Sequence, residues 1–255
     1  MKPEQRQQEI VKRLRAMKKE LSVDSLSEMF GVTPLTIRRD LSKLEKEGSI
    51  LRTHGGCVAV DRAAFEYAYI NRVSLNFKLK QAIGRKAAEE VSKGDTIMIS
   101  DGSTNYHLAA NLNGINPLTV YTNSVAMLDE LSRNPRIDVH VLGGRYSREL
   151  HSLGGSLTEQ MLEFLTFDIV FIGADGVSSD GRCLVNNPSE AQITKMMIKQ
   201  GRRCILLADH TKVEAEGHVA YGTIGDFDVW ITTRGLDRSL VKTFKKMTEV
   251  REVTP

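Results

Sequence analysis

Residues 33–56, TPLTIRRDLSKLEKEGSILRTHGG, decide the fold of the N-terminal part of the chain. Thr33 is a good helix N-cap, and Pro34 suits the first helical position, where a missing N–H costs nothing. Gly48 matches the glycine that commonly follows a helix end. Between them, one apolar stripe recurs at helical spacing: Ile37, Leu41 and Leu44. The stretch therefore predicts an amphipathic helix that begins at Pro34 and ends before Gly48.

The other faces of this helix carry hydroxyl and basic side chains. A helix with an apolar back and such a front fits the major groove of DNA. Leu35, an apolar residue near its start, could touch a thymine methyl group. The residues of this helix that we expect to contact DNA are Thr33, Leu35, Thr36, Arg38, Arg39, Ser42 and Lys43.

The flanking segments complete a small domain. Two further amphipathic helices are predicted near residues 3–17 and 23–30. Their apolar residues, which we expect to be buried in a small three-helix core, are Ile10, Val11, Leu14, Met17, Val23, Leu26, Met29 and Phe30. Residues 50–53 predict a strand, 54–56 a turn, and 57–60 a returning strand. In this hairpin, or wing, Arg52 and His54 can reach phosphate or the minor groove. Residues 1–57 are thus predicted to form a winged helix-turn-helix domain.

The charge distribution favours DNA binding over the alternative, a three-helix protein-interaction module with a solvated basic face. Residues 1–57 hold 12 Lys and Arg against 8 Asp and Glu. The whole chain holds 35 and 32, which leaves 23 basic and 24 acidic residues for the remainder. The excess positive charge therefore belongs to the N-terminal segment, as expected for a phosphate-binding surface.

Length and composition indicate a two-domain globular protein. The chain has 255 residues, 41% hydrophobic and 26% charged. Apolar runs such as 169–174 are too short to span a bilayer, so no membrane partner is expected. The three cysteines, at 57, 183 and 204, form no CxxC pair. This pattern suits a cytoplasmic protein and predicts neither a metal site nor a cofactor. Residues 58–76 lack a clean period and are predicted to be a linker.

Residues 77–255 alternate strand and helix patterns. Apolar strands are predicted near 96–100, 118–122, 139–142, 169–174, 204–208 and 229–232, and helices near 77–91, 105–112, 125–132, 156–165 and 189–200. Buried strands separated by helices indicate a mostly parallel α/β sheet covered on both faces. Ligands bind beyond the carboxyl ends of the strands in such sheets.

Polar and glycine residues follow five of these strands. Each group alone is most often a helix cap, but five at one sheet edge favour a ligand pocket. The groups begin at Asp101, Thr122, Gly143, Gly173 and Asp209.

Both halves resemble one known family. The run TIRRDL…LEKEG…RTHGG resembles the N-terminal signature of the DeoR family of bacterial sugar-metabolism regulators. Residues 80–232 resemble its sensor domain, which shares the fold of ribose-5-phosphate isomerase, through DGST, VYTNS, LGG, FIGADG and ADHTK. Two departures are Pro34-Leu35, where the family usually has polar residues, and Asn105-Tyr106 after the DGST loop.

The resemblance implies a regulator of a sugar catabolic operon. It would bind double-stranded operator DNA as a homodimer or homotetramer and leave it when a phosphorylated sugar binds. Gly102, Ser103 and Thr104 would hold the phosphate. The full set expected to contact the effector is Asp101, Gly102, Ser103, Thr104, Asn123, Ser124, Gly143, Gly144, Asp175, Gly176, Glu190 and Lys212.

The alternative function is a sugar-phosphate isomerase with a fused DNA-binding domain. An isomerase needs a carboxylate base and a group that polarises the carbonyl, which Asp175, Glu190 and Lys212 could supply. The chain lacks the glycine-rich, Lys-led segment of the isomerases, and it has no GxGxxG or GxSxG motif. We therefore expect a regulator with no catalytic residues, since a shared fold does not imply a shared function.

Overall fold

The computed structural model describes residues 3–17, 20–46, 49–53, 55–59, 69 and 71–255. The chain divides into two compact units, Met1–Arg72 and Val73–Pro255. Gly48, where the sequence predicts the helix to end, and most of the predicted linker lie outside the described residues.

The described residues of the first unit include three helices around one core and a small antiparallel sheet; residues 71–74, within the predicted linker, are also helical. Its helices are α1 (Pro3–Met17), α2 (Val23–Phe30) and α3 (Pro34–Lys46). Its strands are β1 (Leu21–Ser22), β2 (Ile50–Arg52) and β3 (Gly56–Ala59), in the order β1-β3-β2. The predicted helices and wing are present. Strand β1 was not predicted, because two residues are too short to show a period.

Three helices enclose the core of this unit, in which Ile10, Leu26 and Ile37 are fully buried. The predicted burial of Met17 and Met29 is wrong, since they are 44% and 39% exposed. Met17 is the last residue of α1. The sulfur of Met29 accepts a hydrogen bond from Arg13 on α1 at 3.3 Å, so this side chain lies beside the core and not in it.

The second unit is built on a seven-stranded sheet in which every neighbouring pair of strands is parallel. The strands are β4 (Thr96–Ile99), β5 (Leu118–Thr122), β6 (Ile137–Val141), β9 (Phe167–Gly173), β12 (Gly201–Leu207), β14 (Val229–Thr233) and β15 (Glu249–Val253). Their order is β15-β14-β12-β9-β4-β5-β6. This confirms the predicted parallel α/β fold. Strand β15 was not predicted, because three of its five residues are charged.

Helices cover both faces of this sheet. They are α4 (Phe77–Ala88), α5 (Ser103–Ala109), α6 (Leu128–Ser132), α7 (Ser156–Glu163), α8 (Pro188–Lys199) and α9 (Arg238–Phe244). One apolar cluster buries Ile83, Leu108 and Leu131, from α4, α5 and α6. The other buries Leu162, Met197 and Phe244, from α7, α8 and α9. The sheet is therefore the middle of three layers.

Two small antiparallel elements extend the unit. A hairpin joins β7 (Arg145–Ser147) to β8 (Ser152–Gly154). A second sheet has the order β10-β11-β13 and consists of β10 (Gly176–Val177), β11 (Arg182–Val185) and β13 (Val219–Thr223). The Tyr221 hydroxyl donates a hydrogen bond to the carbonyl of Gly173 at 2.8 Å and ties this sheet to the end of β9.

The strand order reverses at β4. From there the chain continues to β5 and β6 on one side and to β9, β12, β14 and β15 on the other. A ligand crevice is expected beyond the carboxyl ends of the strands at such a reversal. Among the described residues, no helix combines the length and the apolar character needed to cross a bilayer.

Candidate nucleic-acid interface and ligand cavity

Helix α3 begins at a side-chain cap and separates an apolar back from a polar front. The Thr36 N–H donates to the Thr33 hydroxyl oxygen at 3.3 Å, so Thr33 has the capping role that the sequence predicts. The back is buried as predicted, and its residues are Ile37, Leu41 and Leu44. The front is accessible: Arg38, Arg39, Ser42 and Lys43 are exposed, Leu35 is 58% exposed, and Thr36 is partly exposed.

The wing turn is tied to the start of α2. The Thr53 hydroxyl accepts from the Gly56 N–H at 2.9 Å and donates to Glu20. The Val23 N–H donates to the Gly55 carbonyl at 2.9 Å. A Cβ on Gly56 would lie 2.1 Å from the Leu21 carbonyl oxygen, so only glycine fits between β3 and β1.

Of the two predicted wing contacts, Arg52 lies on β2 and is partly exposed. His54 lies outside the described residues.

A buried ion pair on the back of α3 was missed by the sequence reasoning. Asp40 is 4% exposed and accepts from Arg6 Nε at 2.6 Å and from Gln7 Nε2 at 2.8 Å. These bonds join α3 to α1 through buried polar side chains. The available signal was spacing: Asp40 falls three residues after Ile37, on the apolar face, where a charged group requires a partner.

The second unit contains a cavity of about 210 Å³ at the carboxyl edge of its sheet. Strand ends form its floor, the first turns of α8 form one wall, and the β7–β8 hairpin forms the other. The lining residues are Asp101, Asn123, Arg145, Ser147, Glu149, Leu150, Ser152, Leu153, Gly154, Asn187, Ser189, Glu190, Ile193 and Thr194.

A reciprocal pair of hydrogen bonds holds the floor. The Asp101 N–H donates to Asn123 Oδ1 at 2.9 Å, and Asn123 Nδ2 donates to Asp101 Oδ1 at 3.2 Å. Asn123 Nδ2 also lies 3.2 Å from the Leu153 carbonyl, to which it donates. Burial raises the pKa of Asp101, and hydrogen bonds from Asn123 and Ser152 partly oppose that rise. The floor thus presents polar groups in fixed positions.

The wall from α8 is organised by its N-cap. The Asn187 side chain accepts from the Glu190 N–H at 2.8 Å, and its Nδ2 donates to Glu190 Oε2 at 3.2 Å. Pro188 sits in the first turn of the helix, which favours its start here. Glu190 is therefore held at the cavity by the same residue that begins the helix.

Among the residues predicted to bind an effector, Asp101, Asn123 and Glu190 meet in this cavity. Gly102, Ser103 and Thr104 form the start of α5 and do not line it. Ser124 is fully buried. The Gly143 carbonyl accepts from the Thr158 hydroxyl at 2.6 Å, and a Cβ on Gly144 would lie 2.3 Å from that hydroxyl, so both glycines pack against α7.

The last three predicted residues lie elsewhere on the unit. Asp175 accepts from Asn186 Nδ2 at 2.8 Å. Gly176 is buried in β10, where a Cβ would lie 2.4 Å from the Ala215 carbonyl oxygen. Lys212 is in a short 3₁₀ helix after β12. None of the three lines the cavity.

The sequence reasoning missed the contribution of the β7–β8 hairpin to the cavity. Arg145, Ser147 and Ser152 come from strands of three residues, which show no period, and only tertiary folding brings them over the strand ends. A weak signal existed for Arg145, because it directly follows the predicted Gly143 and Gly144. Within the described part of the chain, no group of His, Cys, Asp and Glu is arranged to hold a metal ion.

Together these features define a class: a winged helix-turn-helix protein whose second unit is a parallel α/β domain with a cavity at its carboxyl edge. The family model described as the DeoR-like helix-turn-helix domain matches residues 6–63. The DeoR C terminal sensor domain matches residues 75–234. The chain belongs to the DeoR family of transcriptional regulators. The helix-turn-helix match favours DNA binding over a plain interaction module.

Individual relatives agree with this assignment. The chain is 35% identical to the uncharacterized HTH-type transcriptional regulator YulB of Bacillus subtilis over 93% of this chain and 92% of that protein. It is 30% identical to the HTH-type transcriptional repressor GlcR of the same organism, over 84% of this chain and 82% of that one. A solved ribose 5 phosphate isomerase A from Neisseria gonorrhoeae matches at 19% identity and a TM-score of 0.39, over 54% of this chain and 53% of that one. A likeness at that level says nothing about the site.

Proposed function

We propose that this protein represses a sugar catabolic operon and is released from operator DNA when a phosphorylated sugar binds the cavity of its second unit. The observation that carries the proposal is the cavity itself, which lies at the carboxyl edge of a sensor-type domain in a chain that also has a DNA-binding unit. The relative GlcR is named a repressor, which supports the sign of regulation.

The chemistry of the cavity supports a small polyhydroxylated ligand. Asp101, Asn123 and Glu190 offer carboxyl and amide groups, which bind hydroxyls, and Ile193 and Leu150 add apolar surface. The volume of about 210 Å³ lies below the roughly 300–1,000 Å³ of drug-sized pockets and suits a single sugar ring.

The DNA-binding side of the proposal requires more than one copy of the chain. Helix-turn-helix proteins bind two half-sites through a symmetric dimer, so we propose a homodimer or homotetramer on double-stranded DNA in the cytoplasm. The sugar would release the DNA because it binds the low-affinity state of the oligomer more tightly.

The isomerase alternative gains no support from the geometry. Its three proposed groups were Asp175, Glu190 and Lys212, and of these the cavity contains Glu190. The two groups proposed to complete that isomerase site with Glu190, Asp175 and Lys212, do not line the cavity.

A thermal-shift panel with the full chain tests the proposal. The probes are ribose 5-phosphate, glucose 6-phosphate, fructose 6-phosphate and similar sugar phosphates, each paired with its unphosphorylated sugar. A ligand that binds the folded state stabilises it by about 2.7 kcal/mol at one hundred times its dissociation constant. We expect one phosphorylated sugar to raise Tm and to lower the affinity of the protein for DNA. If no sugar phosphate raises Tm, the proposal is wrong.

A further inference from the structure

We propose that Arg145 binds the anionic group of the effector and so selects a phosphorylated sugar over its unphosphorylated form. This inference rests on the proposed function and names the residue that would recognise the charge. It differs from the expectation drawn from the family resemblance, which assigned the phosphate to Gly102, Ser103 and Thr104.

The backbone that presents Arg145 is fixed on three sides. Arg145 pairs with Gly154 across the hairpin, and a Cβ on Gly154 would lie 3.0 Å from Ile193 of α8. The Leu153 N–H donates to the Asn123 carbonyl at 2.8 Å, which ties β8 to the end of β5. The position of residue 145 is therefore set by both walls and by the floor of the cavity.

The guanidinium itself is available to a ligand. Arg145 is exposed at the cavity, and no carboxylate of the described residues lies within ion-pair distance of it. By contrast, Arg182 and Arg202 in the same unit are each paired with an aspartate. Arginine offers a planar set of donors that matches carboxylate and phosphate oxygens in bidentate fashion.

Charge decides where an anion can lie in this cavity. Its lining contains three carboxyl groups, from Asp101, Glu149 and Glu190, and one basic side chain, Arg145. A phosphate placed beside the carboxylates of Glu149 and Glu190 would be repelled, because like charges interact strongly where water is partly excluded. The ligand is thus oriented with its anionic group toward the hairpin and its hydroxyls toward the floor and α8.

The test compares Arg145→Gln with wild-type protein and with Arg148→Gln. Arg148 lies in the same hairpin, is exposed, and does not line the cavity, so it controls for lost positive charge. The probes are inorganic phosphate and the pair glucose 6-phosphate and glucose, extended to the other pairs of the panel, measured by isothermal titration calorimetry. All proteins should share one Tm without ligand, because both arginines are on the surface.

We expect wild-type protein to prefer at least one sugar phosphate over its parent sugar. Arg145→Gln should weaken binding of the phosphorylated form by about tenfold to a hundredfold, the range for a lost charge-assisted hydrogen-bond pair, with the parent sugar unaffected. Arg148→Gln should keep the wild-type preference.

Three results would overturn the inference. Wild-type affinity for phosphate and sugar phosphate in Arg145→Gln would show that the anion lies elsewhere, while the proposed function would stand. Loss of binding in Ser103→Ala together with retention in Arg145→Gln would place the anion at the start of α5. If the wild-type protein binds no sugar phosphate, both the inference and the proposed function are wrong.

Discussion

Replacing Asp40 with alanine tests how helix α3 is held in the first unit. The Asp40 carboxylate and the Arg6 guanidinium are 2.6 Å apart, and their side chains are 5% and 7% exposed. The substitution removes both acceptors of the Arg6 and Gln7 donors and leaves a buried guanidinium without its carboxylate. Breaking a buried pair on one side costs about 3–5 kcal/mol. The free energy of unfolding of a whole domain is only about 5–15 kcal/mol, so this cost would remove a large part of its stability.

The assay is equilibrium urea unfolding followed by far-UV circular dichroism, with DNA affinity measured in parallel. Glu45→Ala is the matched control, because Glu45 is an exposed acidic residue of the same helix. The double variant Arg6→Met with Asp40→Leu should regain most of the stability, because an apolar pair needs no charge compensation.

Two results would refute the reasoning. If Asp40→Ala lowers the free energy of unfolding by less than about 1 kcal/mol, as breaking an exposed ion pair does, water must reach Arg6 in the variant. A double variant no more stable than Asp40→Ala would mean that lost packing or the Gln7 amide left without its acceptor, and not the uncompensated charge of Arg6, caused the loss.

Three further predictions concern the DNA-binding front, the wing and the thiols. Arg38→Ala and Arg39→Ala should each weaken DNA binding and lower its salt dependence by about one counterion in fluorescence anisotropy titrations, and wild-type behaviour of both would exclude α3 as the DNA-contacting helix. Gly56→Ala should lower the urea midpoint of unfolding, because its Cβ would lie 2.1 Å from a backbone oxygen. Gly55→Ala is the control: its Cβ would meet no atom within 4 Å, so this variant should unfold at a higher urea midpoint than Gly56→Ala. Burial raises the pKa of Cys57 and Cys183 to about 12 and of Cys204 to about 11. The folded protein at pH 8 should therefore show no fast reaction with a disulfide reagent, and a rapid reaction before unfolding would contradict the thiol burial.

The sequence alone predicted a helix or strand correctly wherever an apolar pattern extended over several helical turns or along a whole strand. Ile37, Leu41 and Leu44 predicted the buried back of α3. Its cap followed from Thr33, and its exposed front followed from the hydroxyl and basic residues on the other faces of the helix. Six of the parallel strands were predictable from their apolar residues, which form nearly continuous buried runs in strands such as β9 and β14 and alternate with polar residues in the edge strand β6. Chain order then placed Asp101 and Asn123 at one edge of the sheet, and the family resemblance added Glu190. The structure brings all three into the cavity.

Tertiary structure alone decided the features that depend on distant partners or on short elements. Asp40 is an acidic residue on an apolar face, and its role became evident when Arg6 and Gln7 were found beside it, more than thirty residues away in the chain. The β7–β8 hairpin has strands of three residues, too short for a pattern, yet it supplies Arg145 to the cavity. Local sequence sets the conformation of each segment through backbone and side-chain preferences. Which segments come into contact is set by the packing of the whole domain, and only this packing places the partners of a buried charge or the walls of a cavity.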